Sequence, residues 1–116
     1  MALFECGGGN AVVPTFLDGK YHTRAASGEE TFQTINATNS ETIYFAIQVT
    51  NNATSAYTRV LVNDTEVGRV TSSGARVSGF GIIAVDVSNG DVITVKTWGD
   101  SDQHVTNTVS IAFTLS

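Results

Sequence analysis

The sequence predicts an all-β chain folded as a single antiparallel two-sheet sandwich, and three observations carry that prediction. Ile43, Phe45, Ile47 and Val49 alternate with Tyr44, Ala46 and Gln48, and a period of two marks a strand with one buried face. Turn-forming clusters such as Asp18-Gly19, Asn63-Asp64 and Asn89-Gly90-Asp91 recur at intervals of roughly 8 to 12 residues, the rhythm of a sandwich of short strands. No apolar stripe of helical period is long enough to build a helix. About eight to ten such strands in two layers point to a jelly roll.

Taken in order, residues 1–10 read as a flexible or docking arm, because Gly7-Gly8-Gly9 loses much backbone entropy if ordered. Residues 11–116 form the one domain. Ala11 to Phe16 is a weak strand in which Pro14 removes a ladder donor and favours a sheet edge. Asp18-Gly19 is expected to turn the chain into a strand from Lys20 to Ala25. A polar turn at Ser27-Gly28-Glu29-Glu30 leads to Thr31 through Ile35, and the alternating run around Phe45 follows as a long strand.

Tyr57 to Val62 and Glu66 to Val70 flank the tight turn Asn63-Asp64 and read as a hairpin. Ala75 to Val87 is too long for one ordinary strand, and Gly79 and Gly81 suggest a bulge or bend within it. Ile83, Val85 and Val87 line one face beyond them. Asn89-Gly90-Asp91 then reverses the chain into Val92 through Trp98. In the last run, Val105 to Leu115, the set Val109, Ile111, Phe113 and Leu115 is expected inward, with Thr108, Ser110, Ala112 and Thr114 on the other face.

Composition narrows the functional classes. With 116 residues the chain has the length of one domain. Only 15% of residues are charged, while 16 are Thr and 10 are Ser, so the polar surface is built from hydroxyls and amides. Such a surface suits contacts between copies or a polar ligand such as a glycan. The net charge is -5, and Lys20, Arg24, Arg59, Arg69, Arg76 and Lys96 are scattered along the chain, which argues against nucleic acid. No stretch approaches the roughly 20 apolar residues of a membrane span, so membrane insertion is not expected. Met1 to Gly9 lacks the basic start and apolar core of a signal peptide. Cys6 is the sole cysteine and has no intrachain partner.

Residues 40 to 116 resemble the C1q and tumour-necrosis-factor-like jelly rolls. Ile43-Tyr44-Phe45-Ala46-Ile47-Gln48-Val49 is similar to their aromatic-rich central strand, and Leu61-Val62-Asn63-Asp64-Thr65-Glu66-Val67 to a hydrophobic strand turning into its neighbour. Ile83-Ala84-Val85-Asp86-Val87-Ser88-Asn89-Gly90-Asp91-Val92-Ile93-Thr94-Val95 resembles their apolar strand, Gly-Asp turn and valine-rich strand. Val109-Ser110-Ile111-Ala112-Phe113-Thr114-Leu115 is similar to their closing strand. The resemblance implies a homotrimer and extends to the fibre and tail-spike heads of bacterial viruses, which recognise a glycan or protein on the host surface. It places the protein on a virion, or outside the cell after release by lysis.

Catalysis is not expected. The histidines are His22 and His104, and Cys6 sits in the arm, so no nucleophile has a base beside it in the sequence. Asp100 and Asp102, with Asp86 and Asp91, offer oxygen ligands of the kind that suit calcium. Solvated turn acids are the simpler reading, so no metal site is assigned and no cofactor required. Trp98, Tyr57, Asp100 and Asp102 are the ligand-binding candidates, because aromatics anchor interfaces or stack on sugars. Tyr44, Ala46, Ser110, Ala112 and Thr114 are the candidates for an oligomer interface, on an outward sheet face buried at a threefold axis. The plainer reading is that these small and hydroxyl side chains decorate an exposed sheet. The favoured function is a non-enzymatic trimeric viral head, with a non-viral carbohydrate-binding module and a particle-decorating or assembly protein as alternatives.

Overall fold

The computed structural model describes residues 4–6, 10–52, 55–100 and 105–116, with those up to residue 11 described by backbone alone. Among the described residues the chain is all β. The strands are β1 (Phe4–Cys6), β2 (Asn10–Val12), β3 (Pro14–Arg24), β4 (Gly28–Asn36), β5 (Glu41–Asn51), β6 (Ala56–Val62), β7 (Thr65–Ser72), β8 (Gly79–Val87), β9 (Val92–Gly99) and β10 (Thr106–Leu115). A front sheet runs β3-β10-β5-β8 and a back sheet β4-β9-β6-β7, with every pairing antiparallel. The chain passes from sheet to sheet at each step except the β6–β7 hairpin, which is the winding of a jelly roll. β1 and β2 pair with each other as a separate two-stranded ribbon, Phe4 opposite Val12 and Cys6 opposite Asn10.

The turns follow local chemistry. Asn63 and Asp64 both take positive φ, 48° and 68°, the geometry that lets a two-residue loop follow the twist of the strands it joins. Gly90 has φ 95°, and Asp91 completes that turn by accepting the Ser88 N–H at 2.8 Å. This reversal carries the chain from the front sheet to the back one.

Two expected turns or bends are corrected. Asp18-Gly19 lies inside β3, which runs on through it as an edge strand with a register shift opposite Ala112 and Phe113. The Asp18 carboxylate accepts from the Gln33 side chain at 3.1 Å, and a Cβ on Gly19 would stand 3.3 Å from the Phe16 ring. Gly79 and Gly81 likewise sit in an unbroken β8 ladder. A Cβ on Gly79 would fall 2.2 Å from the Thr71 carbonyl oxygen, so this glycine serves the close approach of β8 to β7 across the sandwich.

The core is built as the alternation in β5 predicts. Ile43, Phe45, Ile47 and Val49 are buried between the sheets against Val60, Val85, Ile93 and Val95. Burying a side chain of this size contributes about 2 to 3 kcal/mol. Beside this hydrocarbon runs a seam of buried polar groups: Gln33, Asn51, Thr58, Ser72, Thr97, Thr106, Thr108 and Ser110. All but Thr106 hydrogen-bond within the seam. The Ser110 hydroxyl donates to Gln33 Oε1 at 2.6 Å, Thr58 and Thr108 share a hydrogen bond of 2.8 Å, and Asn51 Nδ2 donates to Ser72 Oγ at 2.8 Å. Ser72 also donates to the Val77 carbonyl.

This seam corrects the expected orientation of β10. Thr108, Ser110 and Ala112 face the core, Ser110 and Ala112 fully buried, and Ile111 and Leu115 face outward. Ala112 lies directly across from Phe45 in the ladder, so the small side chain leaves room for the ring. The hydroxyls on the same parity find partners inside, which removes the usual cost of burying them.

Candidate functional site

Each sheet presents its other face to the outside, and the two faces differ in chemistry. On the back sheet, Trp98 on β9 pairs with Glu29 on β4 and with Tyr57 on β6. Cross-strand pairing on one face brings side chains together. The Tyr57 and Trp98 rings stack with centroids 5.3 Å apart at 11°. The Arg69 guanidinium lies 4.1 Å from the centre of the Tyr57 ring, a cation–π contact.

A ring of charges fixes this stack. Arg59 grips both oxygens of Glu29, Nε to Oε2 at 2.7 Å and a terminal nitrogen to Oε1 at 2.8 Å, and the Tyr57 hydroxyl donates to Glu29 Oε2 at 3.2 Å. Glu66 is bound by Arg69 at 2.5 and 3.0 Å and by Arg59 at 3.2 Å. The hydrogen bond from Arg59 holds the Glu29 carboxyl below the usual range, and Arg69 does the same for Glu66. Burial, with Glu29 nearby, pushes the Tyr57 phenol up. Lys96 stands two residues from Trp98 on the same strand.

The front sheet carries an apolar outer face. Phe16, Phe113 and Tyr44 lie side by side across β3, β10 and β5, and the next row holds Gly19, Ile111, Ala46 and Ile82. Tyr21, Val109 and Phe80 belong to the row beyond. Tyr44 and Phe113 stack at 5.5 Å and 19°. Phe16 is 66% exposed, Phe80 66% and Ile82 58%. Between Pro14, Phe16, Tyr44, Ile82, Ile111, Phe113 and Leu115 lies an open groove of about 620 Å³.

Of the ligand-binding candidates, Trp98 and Tyr57 meet in one stack. Asp100 lies past the end of β9, where one carboxylate oxygen accepts the Ser55 N–H at 3.2 Å. Asp102 and His104 lie outside the described residues, as do Gly7, Gly8 and Gly9. Asp86 accepts from the Thr42 hydroxyl at 2.7 Å, and Asp91 from Ser88 and Asn63, which hold its carboxyl below the usual carboxylate range. Among the described residues no three acids, histidines or cysteines gather as a metal site, so the calcium expectation has no cluster there to rest on.

Of the interface candidates, Tyr44 and Ala46 do face outward, Ser110 and Ala112 do not, and Thr114 is half-buried beyond the bulge. Sequence reasoning missed Phe16, Ile82, Ile111, Phe113 and Leu115 as surface residues. One signal was present: β8 reads Phe80 and Ile82 on one parity and Ile83, Val85 and Val87 on the other. A strand apolar on both sides asks for cover on both.

Fold and site together define a jelly-roll domain with an apolar face on one sheet and an aromatic, ion-paired face on the other. No protein-family model matches the chain, and no curated protein matches it. Solved structures resemble it at low identity. A structure described as Bacillus endospore appendages that form a novel family of disulfide-linked pili is 16% identical with a TM-score of 0.50, covering 100% of both chains. The CBM36-1 domain of a multidomain xylanase from the hindgut metagenome of Trinervitermes trinervoides is 16% identical with a TM-score of 0.46, covering 90% of this chain and 77% of that one. The carbohydrate-binding module CBM36 in complex with calcium and xylotriose is 11% identical at 0.46, covering 92% and 100%. The first of these likenesses speaks to fold alone.

Proposed function

We propose that this chain is a non-catalytic structural subunit that associates with copies of itself through the outer face of its front sheet. The carrying observation is the exposed apolar surface around Phe16, Tyr44, Ile82, Ile111 and Phe113. At the usual strand and residue spacings, three rows across four strands cover about 14 by 20 Å, or about 300 Å² in projection. Side-chain relief adds to that area, which reaches the upper range a monomer leaves bare. The occupant we infer is a second copy. Each chain carries a net charge of -5, and these rows hold no ionised side chain, so two copies meet there without opposing like charges.

The C1q and tumour-necrosis-factor resemblance implies three copies and a virion setting, whereas the Bacillus protein of the same fold forms pili. Solution mass separates a closed ring from an open polymer. Light scattering after size exclusion is expected to give a multiple of 12.2 kDa. Ile82→Ser combined with Phe16→Ser is expected to return the chain to a single copy while leaving its circular dichroism unchanged. A wild-type monomer at micromolar concentration ends this reading.

A second reading is sugar recognition on the back sheet, favoured by the rigid Trp98 and Tyr57 pair. Tyr57 is held between Trp98 and Arg69, so its orientation is fixed before any ligand arrives. Trp98 keeps one ring face that Tyr57 does not cover. Trp98→Ala is then expected to weaken binding to an oligosaccharide array at least tenfold, and unchanged array binding, or none in the wild type, removes this reading.

A further inference from the structure

At the tip of the sandwich, where β5 ends and β10 begins, Thr50, Asn51, Asn52, Arg76, Val105 and Asn107 line a pocket of about 330 Å³. That is near the lower end of the volumes in which small ligands bind, about 300 Å³. Its chemistry is one-sided. Asn52 Oδ1 accepts the Val105 N–H at 2.7 Å, and a backbone N–H can only donate, so the orientation of this amide is fixed. Its NH2 group remains for a ligand. Asn107 Oδ1 accepts from both the Thr23 hydroxyl at 2.8 Å and the Tyr21 hydroxyl at 3.1 Å, which leaves its NH2 group as well.

Arg76 adds the charge. It has φ 61°, a left-handed conformation that non-glycine residues rarely take, and its N–H donates to the Asn51 carbonyl at 2.6 Å. Its side chain is exposed and has no ion pair or hydrogen bond with the described residues. Among the described residues no acidic side chain lines the pocket, in a chain whose net charge is -5. A guanidinium and two amides line one pocket, and both amide oxygens are already engaged. A ligand matching them brings acceptors and a negative charge.

We propose that this tip is a binding site for a carboxylate-bearing sugar of monosaccharide size, with Arg76 on the carboxylate and the Asn52 and Asn107 amides on ring oxygens. The site is made within one chain. Tyr44, at the centre of the apolar groove, lies seven residues along β5 from Asn51, about 23 Å at the usual rise, and the last apolar row, with Tyr21 and Phe80, ends one row short of Asn107.

Saturation-transfer NMR suits weak ligands on a chain of any assembly size. With the whole protein, sodium glucuronate is expected to give a saturable signal and glucose one at least tenfold weaker. Arg76→Gln is expected to weaken glucuronate at least tenfold. Asn52→Asp is the sharper variant, because its carboxylate still accepts the Val105 N–H while presenting an oxygen where the amide presented a donor. It should keep the wild-type melting temperature and lose glucuronate. Equal signals for glucose and glucuronate, no saturable glucuronate signal, or full glucuronate binding by Arg76→Gln would overturn the proposal. Sulfate displacing glucuronate while Arg76→Gln loses both is the result expected of a charge-led site; sulfate binding alone also overturns the sugar assignment.

Discussion

Ser110 shows how a single hydroxyl decides which way a strand faces. Its O–H reaches Gln33 Oε1 at 2.6 Å in a fully buried setting. Ser110→Ala removes that donor and leaves a buried carbonyl unsatisfied, which costs about 1 to 3 kcal/mol. Thr114→Ala, four residues along and only half-buried, is expected to change stability by no more than about 0.5 kcal/mol. Urea unfolding at one fixed protein concentration checks the pair, and equal small effects at both positions would mean Ser110 is not inside. The residues legible from sequence at this scale were those belonging to an unbroken run of large apolar side chains at every second position, such as Phe45 and Ile47. Ser110 was not, because its partner Gln33 lies 77 positions away.

At the scale of the element, the outer face of the back sheet is held by side chains from three strands. Glu29 on β4, Arg59 on β6 and Tyr57 beside it join across β9. The hydrogen bond from Arg59 depresses the Glu29 carboxyl in the folded chain, below the unfolded value of about 4.3. A depressed carboxyl stabilises the fold fully above its unfolded pKa, and the gain is lost as pH falls through the folded one. Glu29→Gln is therefore expected to cost about 1 kcal/mol at pH 7, a value kept modest because the pair is partly solvated. The gap between wild type and variant should close as the pH drops below about 4. Urea midpoints at pH 7, 5 and 3 test this, and a gap independent of pH would mean the carboxylate charge is not what Arg59 holds. The hairpin of β6 and β7 was legible because Asn63-Asp64 specifies its own turn. Asp18-Gly19 carries an equally strong turn signal, yet pairing of β3 along the whole of β10 outweighs it.

For the whole molecule, the two sheets divide the work. The back sheet spends its outer face on ion pairs and an aromatic stack, while the front sheet keeps a bare apolar one, so any assembly through the front leaves the back free. Unfolding of such an assembly depends on concentration, and the monomeric Ile82→Ser, Phe16→Ser variant should show a midpoint that does not. Alternation and turn chemistry in the sequence by themselves determined that the chain is all β, that β5 has one oily side, and where most strands begin. Both are set by residues close together in the chain. Only the tertiary structure decided which side of β10 and β3 faces inward, because Ile111 and Ser110 alternate equally well in either orientation. It also brought Tyr57 to Trp98, and Asn52 to Arg76 and Asn107. Those meetings come from strands laid side by side by the winding of the two sheets, and a period of two along one strand carries no record of its neighbour.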